Sequence, residues 1–204
     1  MVAAAKLRRA QEAAVSGRPY SDRFDSVMSG LTASMGVDSG PPLLIGTGAD
    51  TNHLLIVMTA ERGLCGGFNS NIAKLAKLKA SKLISEGKSV KILTVGKKGR
   101  DSLKREFGKY FVGHVDLTEM KGASYSYAVE VASNILNRFD SSEFDVATIY
   151  YSRFESVMSQ IPTEKQLIPP VFQASTESTA YDYEPSEEEI LIDLLPQSIT
   201  AQIF

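Results

Sequence analysis

A glycine-rich segment, Arg62-Gly-Leu-Cys-Gly-Gly-Phe-Asn69, carries the clearest sign of chemistry in this sequence. It follows an apolar run at 53–59 that predicts a buried strand, and it precedes a segment with helical periodicity. In α/β proteins, a glycine-rich turn between a strand and a helix N-terminus is a common phosphate-binding site. One interpretation is therefore a nucleotide-binding α/β enzyme that uses the loop from Gly63 to Gly67.

The spacing of the glycines weakens that interpretation. Gly63, Gly66 and Gly67 do not form the G-x-G-x-x-G fingerprint, and no Lys-Ser or Lys-Thr pair completes a P-loop. No acidic residue ends the second predicted strand to hold a ribose, although the basic residues that follow it could meet a 2′-phosphate. The other interpretation is a tight turn that needs positive φ or close backbone approach, which glycine tolerates. On spacing alone, both interpretations remain open.

Other catalytic constellations are absent from the sequence. The single cysteine, Cys65, excludes an internal disulfide and a multi-cysteine zinc site. No motif places a histidine beside it, so we interpret it as an unreactive loop residue. The two histidines, His53 and His114, fall in predicted strands, where we expect core or surface roles. We assign no catalytic, cofactor-binding or metal-binding residue.

The elements that would position the glycine loop alternate along the middle of the chain. Apolar runs predict strands at 53–59, 90–95, 110–117 and 145–154, with helices between them. The first of these helices has an apolar face and would be capped by Asn69 or Ser70. The stretch 158–171 contains three prolines and fits only an edge strand. This alternation predicts an α/β fold with a mostly parallel, three-layer sheet.

A seam of apolar and small residues runs through the first thirty-five residues with an unbroken spacing of three and four. This heptad pattern is typical of a helix buried along a narrow stripe. Because the register continues past Pro19, we predict one long helix, bent near that residue. An amphipathic helix lying on its own domain is the alternative. The members of the seam are Leu7, Ala10, Ala14, Gly17, Ser21, Phe24, Met28, Leu31 and Met35.

A second helix is predicted to begin near the far end of the chain. Ser186 and Glu189 form a capping box, and an apolar face follows: Ile190, Leu191, Leu194, Leu195, Ile199 and Ile203. Neither terminal helix shows a capping residue at its outer end, so we expect both to continue beyond the sequence. The predicted divisions are 1–40 for the first helix, 41–180 for the central domain and 181–204 for the second helix.

Composition and charge limit the alternatives. Apolar residues make up 43 % and charged residues 23 % of the chain, as in average globular domains. No apolar run approaches the ~18 residues of a membrane-spanning helix. Twelve Lys or Arg and three acids lie between Lys74 and Lys109, whereas seven acids and no base lie between Thr176 and Asp193. We interpret this asymmetry as solvated surface rather than as a nucleic-acid site.

Read as a string, Arg62 to Asn69 resembles the signature of the gamma subunits of F-type ATP synthases. The resemblance covers nearly the whole chain, because residues 1–11 and 18–20 are similar to the family's first rotor helix, and 158–163 and 183–185 also match. Glu61 departs from the pattern, which commonly has Asp there. The chain looks like a gamma subunit that lacks the N-terminal lead segment and most of the C-terminal helix.

The resemblance implies a Rossmann-like domain that binds no nucleotide, inserted between two long helices of an antiparallel coiled coil. It implies a central-stalk rotor subunit without independent catalysis, which couples c-ring rotation in a proton-translocating enzyme to ATP synthesis in the alpha–beta hexamer. No cofactor and no nucleic acid is implied. The location would be peripheral, on the cytoplasmic face of a bacterial inner membrane or the matrix face of the inner mitochondrial membrane.

The resemblance also implies partner contacts for named residues. The first helix would pass the beta subunits, and the segment before the second helix would lie beside epsilon and the c-ring. The implied beta contacts are Lys6, Arg8 and Arg9, and the implied epsilon or c-ring contacts are Tyr181, Tyr183 and Glu184.

Overall fold

A computed structural model describes residues 5, 7, 8, 11, 12, 15, 19, 23, 26–30, 40–119, 125–156, 158–171 and 187–204. Two compact units make up the chain. The first comprises Met1–Ile45, Lys121–Leu136 and Pro170–Phe204, and the second comprises Gly46–Met120 and Asn137–Pro169. Among the described residues, no helix is both long enough and apolar enough to cross a membrane.

The second unit contains one five-stranded sheet in the order β3-β2-β1-β4-β5. Its first four strands pair in parallel, and β5 pairs antiparallel with β4 at the edge. This confirms the mostly parallel sheet and the edge position predicted for 158–171. The strands are β1 (Asn52–Met58), β2 (Ser89–Val95), β3 (Phe111–Val115), β4 (Val146–Phe154) and β5 (Gln160–Ile168).

Five α-helices are described in full. The helices α2 and α3 belong to the second unit and α1 and α5 to the first, whereas α4 contributes residues to both. Every described residue from 5 to 30 is also helical. The helices are α1 (Pro42–Ile45), α2 (Phe68–Ser85), α3 (Lys97–Phe107), α4 (Tyr125–Asp140) and α5 (Glu187–Ile203).

One face of the sheet packs against α2 and α3. Leu55 and Val57 of β1 share a buried cluster with Ala80 of α2 and Leu103 of α3. The apolar face predicted for α2 is confirmed, because its members are buried or packed against this cluster: Ile72, Leu75, Ala76, Ala80, Leu83 and Ile84. Full burial of each large aliphatic side chain contributes about 1.5–3 kcal/mol. The cluster therefore fixes the strand ends from which the loops emerge.

A single carboxylate holds the amino edge of the sheet together. Asp145, immediately before β4, accepts hydrogen bonds from the hydroxyl of Thr47 (2.8 Å), the backbone N–H groups of Thr51 (3.1 Å) and Asn52 (2.8 Å), and the Asn52 side chain (3.1 Å). Burial raises the pKa of Asp145, but these hydrogen bonds outweigh it and hold the pKa below its ordinary value. The ionised carboxylate is thus the stable form in the folded unit.

In the first unit, helical residues from both ends of the chain meet. Met28 is fully buried and clusters with Leu44, Leu191 and Leu195. The apolar face predicted for the second helix is confirmed, since Leu191, Leu195, Ile199 and Ile203 are buried and Ile190 and Leu194 pack against the cluster. Helix α5 continues through Pro196. The capping residue predicted for it, Ser186, lies outside the described residues.

The heptad seam can be followed at two positions only. Met28 is fully buried, whereas Leu7 is 47 % exposed. The other members lie outside the described residues, so the coiled-coil seam remains a prediction: Ala10, Ala14, Gly17, Ser21, Phe24, Leu31 and Met35.

Candidate functional site

The glycine loop lies at the carboxyl edge of the sheet, between the end of β1 and the start of α2. Gly66 has a positive φ of 58°, the conformation that the turn interpretation requires. Leu64 also has a positive φ (60°), and its side chain is fully exposed. A β-carbon makes this conformation uncommon, so surrounding contacts must hold the loop in place. Cys65 is exposed beside Leu64.

Asn69 supplies those contacts from the first turn of α2. Its Oδ1 accepts a hydrogen bond from the backbone N–H of Ala60 (2.9 Å), and its Nδ2 donates to the carbonyl of Arg62 (3.3 Å) and to Sγ of Cys65 (2.9 Å). The side chain therefore spans the loop from one end to the other. The strand-turn-helix arrangement predicted for this segment is present, and the hydrogen bonds of the Asn69 side chain stabilise its turn.

The capping prediction for α2 was wrong. The helix begins at Phe68, its N-cap is Gly67, and no side-chain hydrogen bond caps it in the described structure. Ser70 donates its hydroxyl to the carbonyl of Gly67 (3.1 Å) rather than accepting an amide proton. The physical reason is competition. The Asn69 side-chain amide forms hydrogen bonds with backbone groups of the loop, so it is not available to cap the helix N-terminus.

The end of β1 is joined closely to the start of α3. The N–H of Thr59 donates to the carbonyl of Val95 (2.9 Å), and the Thr59 hydroxyl accepts from the N–H of Gly99 (2.7 Å). Gly96 has φ 82°, and a β-carbon built on it would lie 2.0 Å from the carbonyl oxygen of Thr59. Glycine at 96 is therefore required both by its φ and by the closeness of the two backbones.

Glu61 places a negative charge at this junction. Its Oε1 accepts hydrogen bonds from the backbone N–H of Lys97 (3.2 Å), the first residue of α3, and of Leu117 (2.7 Å), beyond the end of β3. The N-terminus of a helix after a strand is where α/β folds bind phosphate. Here a carboxylate of the chain itself holds that position at α3. The nucleotide interpretation, in contrast, concerns the Gly63–Gly67 loop, which precedes α2.

Each histidine has a polar neighbour. His114 Nδ1 lies 2.9 Å from the Thr94 hydroxyl, and His53 Nε2 lies 2.8 Å from Oδ1 of Asp50. Burial lowers the pKa of His53, and a hydrogen bond from Lys88 lowers the pKa of Asp50. Among the described residues, no three His, Cys, Asp or Glu are grouped so that they could hold a metal ion.

The residues assigned to partner contacts are mostly outside the described structure. Arg8 is the exception: it is helical, exposed and paired with Glu12 through an Nε–Oε1 distance of 2.9 Å. An exposed pair of this kind contributes little to stability, so Arg8 can exchange its partner at low cost. Those outside the described residues are Lys6, Arg9, Tyr181, Tyr183 and Glu184.

Sequence reasoning missed the roles of Thr59, Glu61 and Asp145. A signal for Glu61 was present, because the segment that becomes α3 begins with Gly96-Lys97-Lys98 and offers neither a capping side chain nor an acid for its N-terminus. Helices usually have both. The absence indicated that a distant acid would have to supply the missing charge, but not which one.

Comparison with known proteins gives consistent matches over the whole chain. A family model described as ATP synthase matches residues 1–204. The chain is 63 % identical to the ATP synthase gamma chain of Dinoroseobacter shibae, covering 100 % of this chain and 71 % of the relative. It is 61 % identical to the gamma chain of Ruegeria pomeroyi and 64 % to that of Roseobacter denitrificans, covering 100 % of this chain and 72 % of each relative.

A solved structure shares the fold. The central stalk and c-ring structure of the Tetrahymena thermophila mitochondrial ATP synthase contains a chain with a TM-score of 0.67 and 19 % sequence identity. The match covers 100 % of this chain and 86 % of that one. At this level of identity, the likeness concerns the fold.

Proposed function

Because the chain belongs to the ATP synthase gamma chain family, we propose that it is the central-stalk rotor subunit of a proton-translocating F-type ATP synthase. Its role is to couple rotation of the c-ring to ATP synthesis in the catalytic hexamer. The observation that carries this proposal is the 63 % identity to a named gamma chain across the full length of this chain. The subunit itself performs no catalysis and holds no cofactor.

The proposed architecture follows from that role. The three-layer, Rossmann-like domain (41–180) is inserted between two long helices (1–40 and 181–204) that form an antiparallel coiled coil. The cluster of Met28 with Leu191 and Leu195 supports this pairing, because it joins the two helices that would form the shaft. A shaft of this kind must resist twisting, and a shared apolar seam provides the necessary contact.

The proposed partners are the alpha and beta subunits of the hexamer, the epsilon subunit and the c-ring. Lys6, Arg8 and Arg9 would face acidic segments of beta as the shaft turns. The weak exposed pair of Arg8 with Glu12 suits such a surface, because transient contacts on a rotating shaft must be individually weak. The subunit would be membrane-associated only through the complex, on the bacterial cytoplasmic face or the mitochondrial matrix face.

The segment that ends at Pro185 is the proposed foot of the rotor. Tyr181, Tyr183 and Glu184 combine aromatic rings with polar tips, which suits a protein–protein contact beside epsilon and the c-ring. We expect a cysteine placed at Tyr181 or Tyr183, and carrying a photoreactive reagent, to cross-link to epsilon or to a c subunit in the assembled enzyme. The measurement is mass spectrometry of the adducts after illumination.

The control for this experiment is the assembled enzyme with Cys65→Ser and no introduced cysteine, which should give no adduct. That background is necessary because Cys65 is exposed and would react with the same reagent. Adducts to alpha or beta alone would contradict the proposed orientation of the foot.

A further inference from the structure

Helix α3 lacks the features that normally stabilise a helix N-terminus. Its first turn contains no acid and begins with Lys97 and Lys98, and its N-cap, Gly96, makes no side-chain hydrogen bond. The first N–H groups of a helix have no partner within it. Positive side chains at this end also oppose the helix dipole. Taken alone, the segment should fray at its start.

The chain cannot correct this locally. Any residue other than glycine at 96 would bring a β-carbon to 2.0 Å from the carbonyl oxygen of Thr59, at a backbone φ of 82°. Ser, Thr, Asp and Asn, the usual capping residues, are all excluded by this contact. The close approach of β1 and α3 therefore removes the position from which a helix is normally capped.

Three consecutive residues after β1 supply the missing partners. Lys97 N–H donates to the Glu61 carboxylate (3.2 Å), Lys98 N–H to the Ala60 carbonyl (3.2 Å), and Gly99 N–H to the Thr59 hydroxyl (2.7 Å). The two segments are thus matched one residue to one residue. The Glu61 carboxylate also supplies the negative charge that the first turn lacks.

We propose that Thr59–Glu61, a distant segment of the same chain, forms the N-terminal cap of α3. Glu61 is the residue that positions this cap. The same carboxylate accepts the N–H of Leu117, so it links the ends of β1, β2 and β3. The next residue is Arg62, where the exposed glycine loop begins. The cap therefore joins α3 to the residue that immediately precedes the loop. This inference goes beyond the proposed rotor function and does not rest on it.

The direct test is amide hydrogen exchange, read residue by residue by NMR, in the full chain and its Glu61→Ala variant. A hydrogen bond to a charged acceptor is worth enough that its loss should raise exchange of the Lys97 and Leu117 amides about tenfold or more. The Ser89 amide, which donates to the Thr51 carbonyl at the opposite edge of the sheet, should keep its rate. Glu119→Ala, which removes an exposed acid, is the matched control and should change none of the three.

A charge-rescue arm separates capping from a general effect on stability. Lys97→Glu, added to Glu61→Ala, places an acid in the first turn and should recover most of the lost protection at the amide of residue 97. Lys104→Glu makes the same charge change in the last turn, where an acid is unfavourable, and should recover none.

Three outcomes would overturn the proposal. Unchanged exchange at Lys97 and Leu117 in Glu61→Ala would show that the carboxylate does not hold them. An equal rise in the exchange rates of the Lys97, Leu117 and Ser89 amides would mean that Glu61 contributes only to global stability. Equal recovery of protection by Lys97→Glu and Lys104→Glu would show that the helix dipole does not account for the effect of Glu61. If Glu61→Ala does not fold, Glu61→Gln, which keeps one acceptor oxygen, removes the charge alone and should raise exchange at Lys97 and Leu117 by a smaller factor.

Discussion

Replacing Gly96 with alanine is expected to destabilise the second unit by about 4 kcal/mol or more, a large fraction of the roughly 5–15 kcal/mol of an ordinary domain. The added β-carbon would meet the Thr59 carbonyl oxygen at 2.0 Å, and neither backbone can retreat without breaking β1–β2 pairing. The φ of 82° adds strain of about 1–3 kcal/mol for a residue with a side chain. Urea unfolding followed by circular dichroism measures the loss.

Gly48 provides the matched control for this substitution. It has a similar φ of 76°, but no described heavy atom lies within 4 Å of a β-carbon built there. Gly48→Ala should therefore show the conformational cost alone, about 1–3 kcal/mol. Equal losses at the two positions would mean that backbone strain, not the approach of Thr59, decides the effect, and would undermine the capping account as well.

Replacing Asp145 with alanine is expected to cost about 3 kcal/mol or more. The substitution removes the acceptor of four hydrogen bonds at a buried position and leaves the N–H groups of Thr51 and Asn52 unpaired. Because these bonds fix the start of β1 against the start of β4, the loss should appear in global unfolding. Asp140→Ala, at the exposed end of α4, is the control and should stay within about 0.5 kcal/mol of the original chain.

The same carboxylate predicts a pH dependence of defined sign. The pKa of Asp145 is lower in the folded unit than its ordinary value, so the folded state binds this proton less readily than the unfolded chain. Its contribution is therefore complete above the ordinary Asp value of about 3.9 and is lost as the pH falls below it. The stability difference between the original chain and Asp145→Ala should shrink in acid. A difference that stays constant from neutral pH to about pH 3 would contradict the assignment.

The strands could be predicted because their signal is local. The run predicted at 53–59 became β1, Asn52–Met58, since a strand buried on both faces leaves an unbroken apolar sequence. The edge position of β5 followed from its prolines, because a strand interior to the sheet needs every N–H group. In these segments neighbouring residues contain all the necessary information.

The contacts that organise the loop could not be predicted because they join distant residues. Glu61 meets Lys97 and Leu117 across 36 and 56 positions. The start of α3 shows that an acid is missing there, but nothing in the sequence marks Glu61 as the one that supplies it. Asn69 shows the opposite difficulty. Its position favoured a helix cap by local rules, but its side-chain amide instead forms hydrogen bonds with the backbone of Ala60 and Arg62 in the loop. Local propensity is decisive only where no tertiary contact competes for the same group.

The proposed rotor function requires this chain to turn inside the catalytic hexamer. The most direct measurement attaches a visible marker to a cysteine introduced at Ser85, the exposed last residue of α2, in a Cys65→Ser background of the assembled, surface-fixed enzyme. On addition of ATP, the marker should rotate in one direction, and ADP alone should give no rotation. A marker that stays fixed relative to the hexamer while ATP is hydrolysed would contradict the assignment of this chain as the rotor.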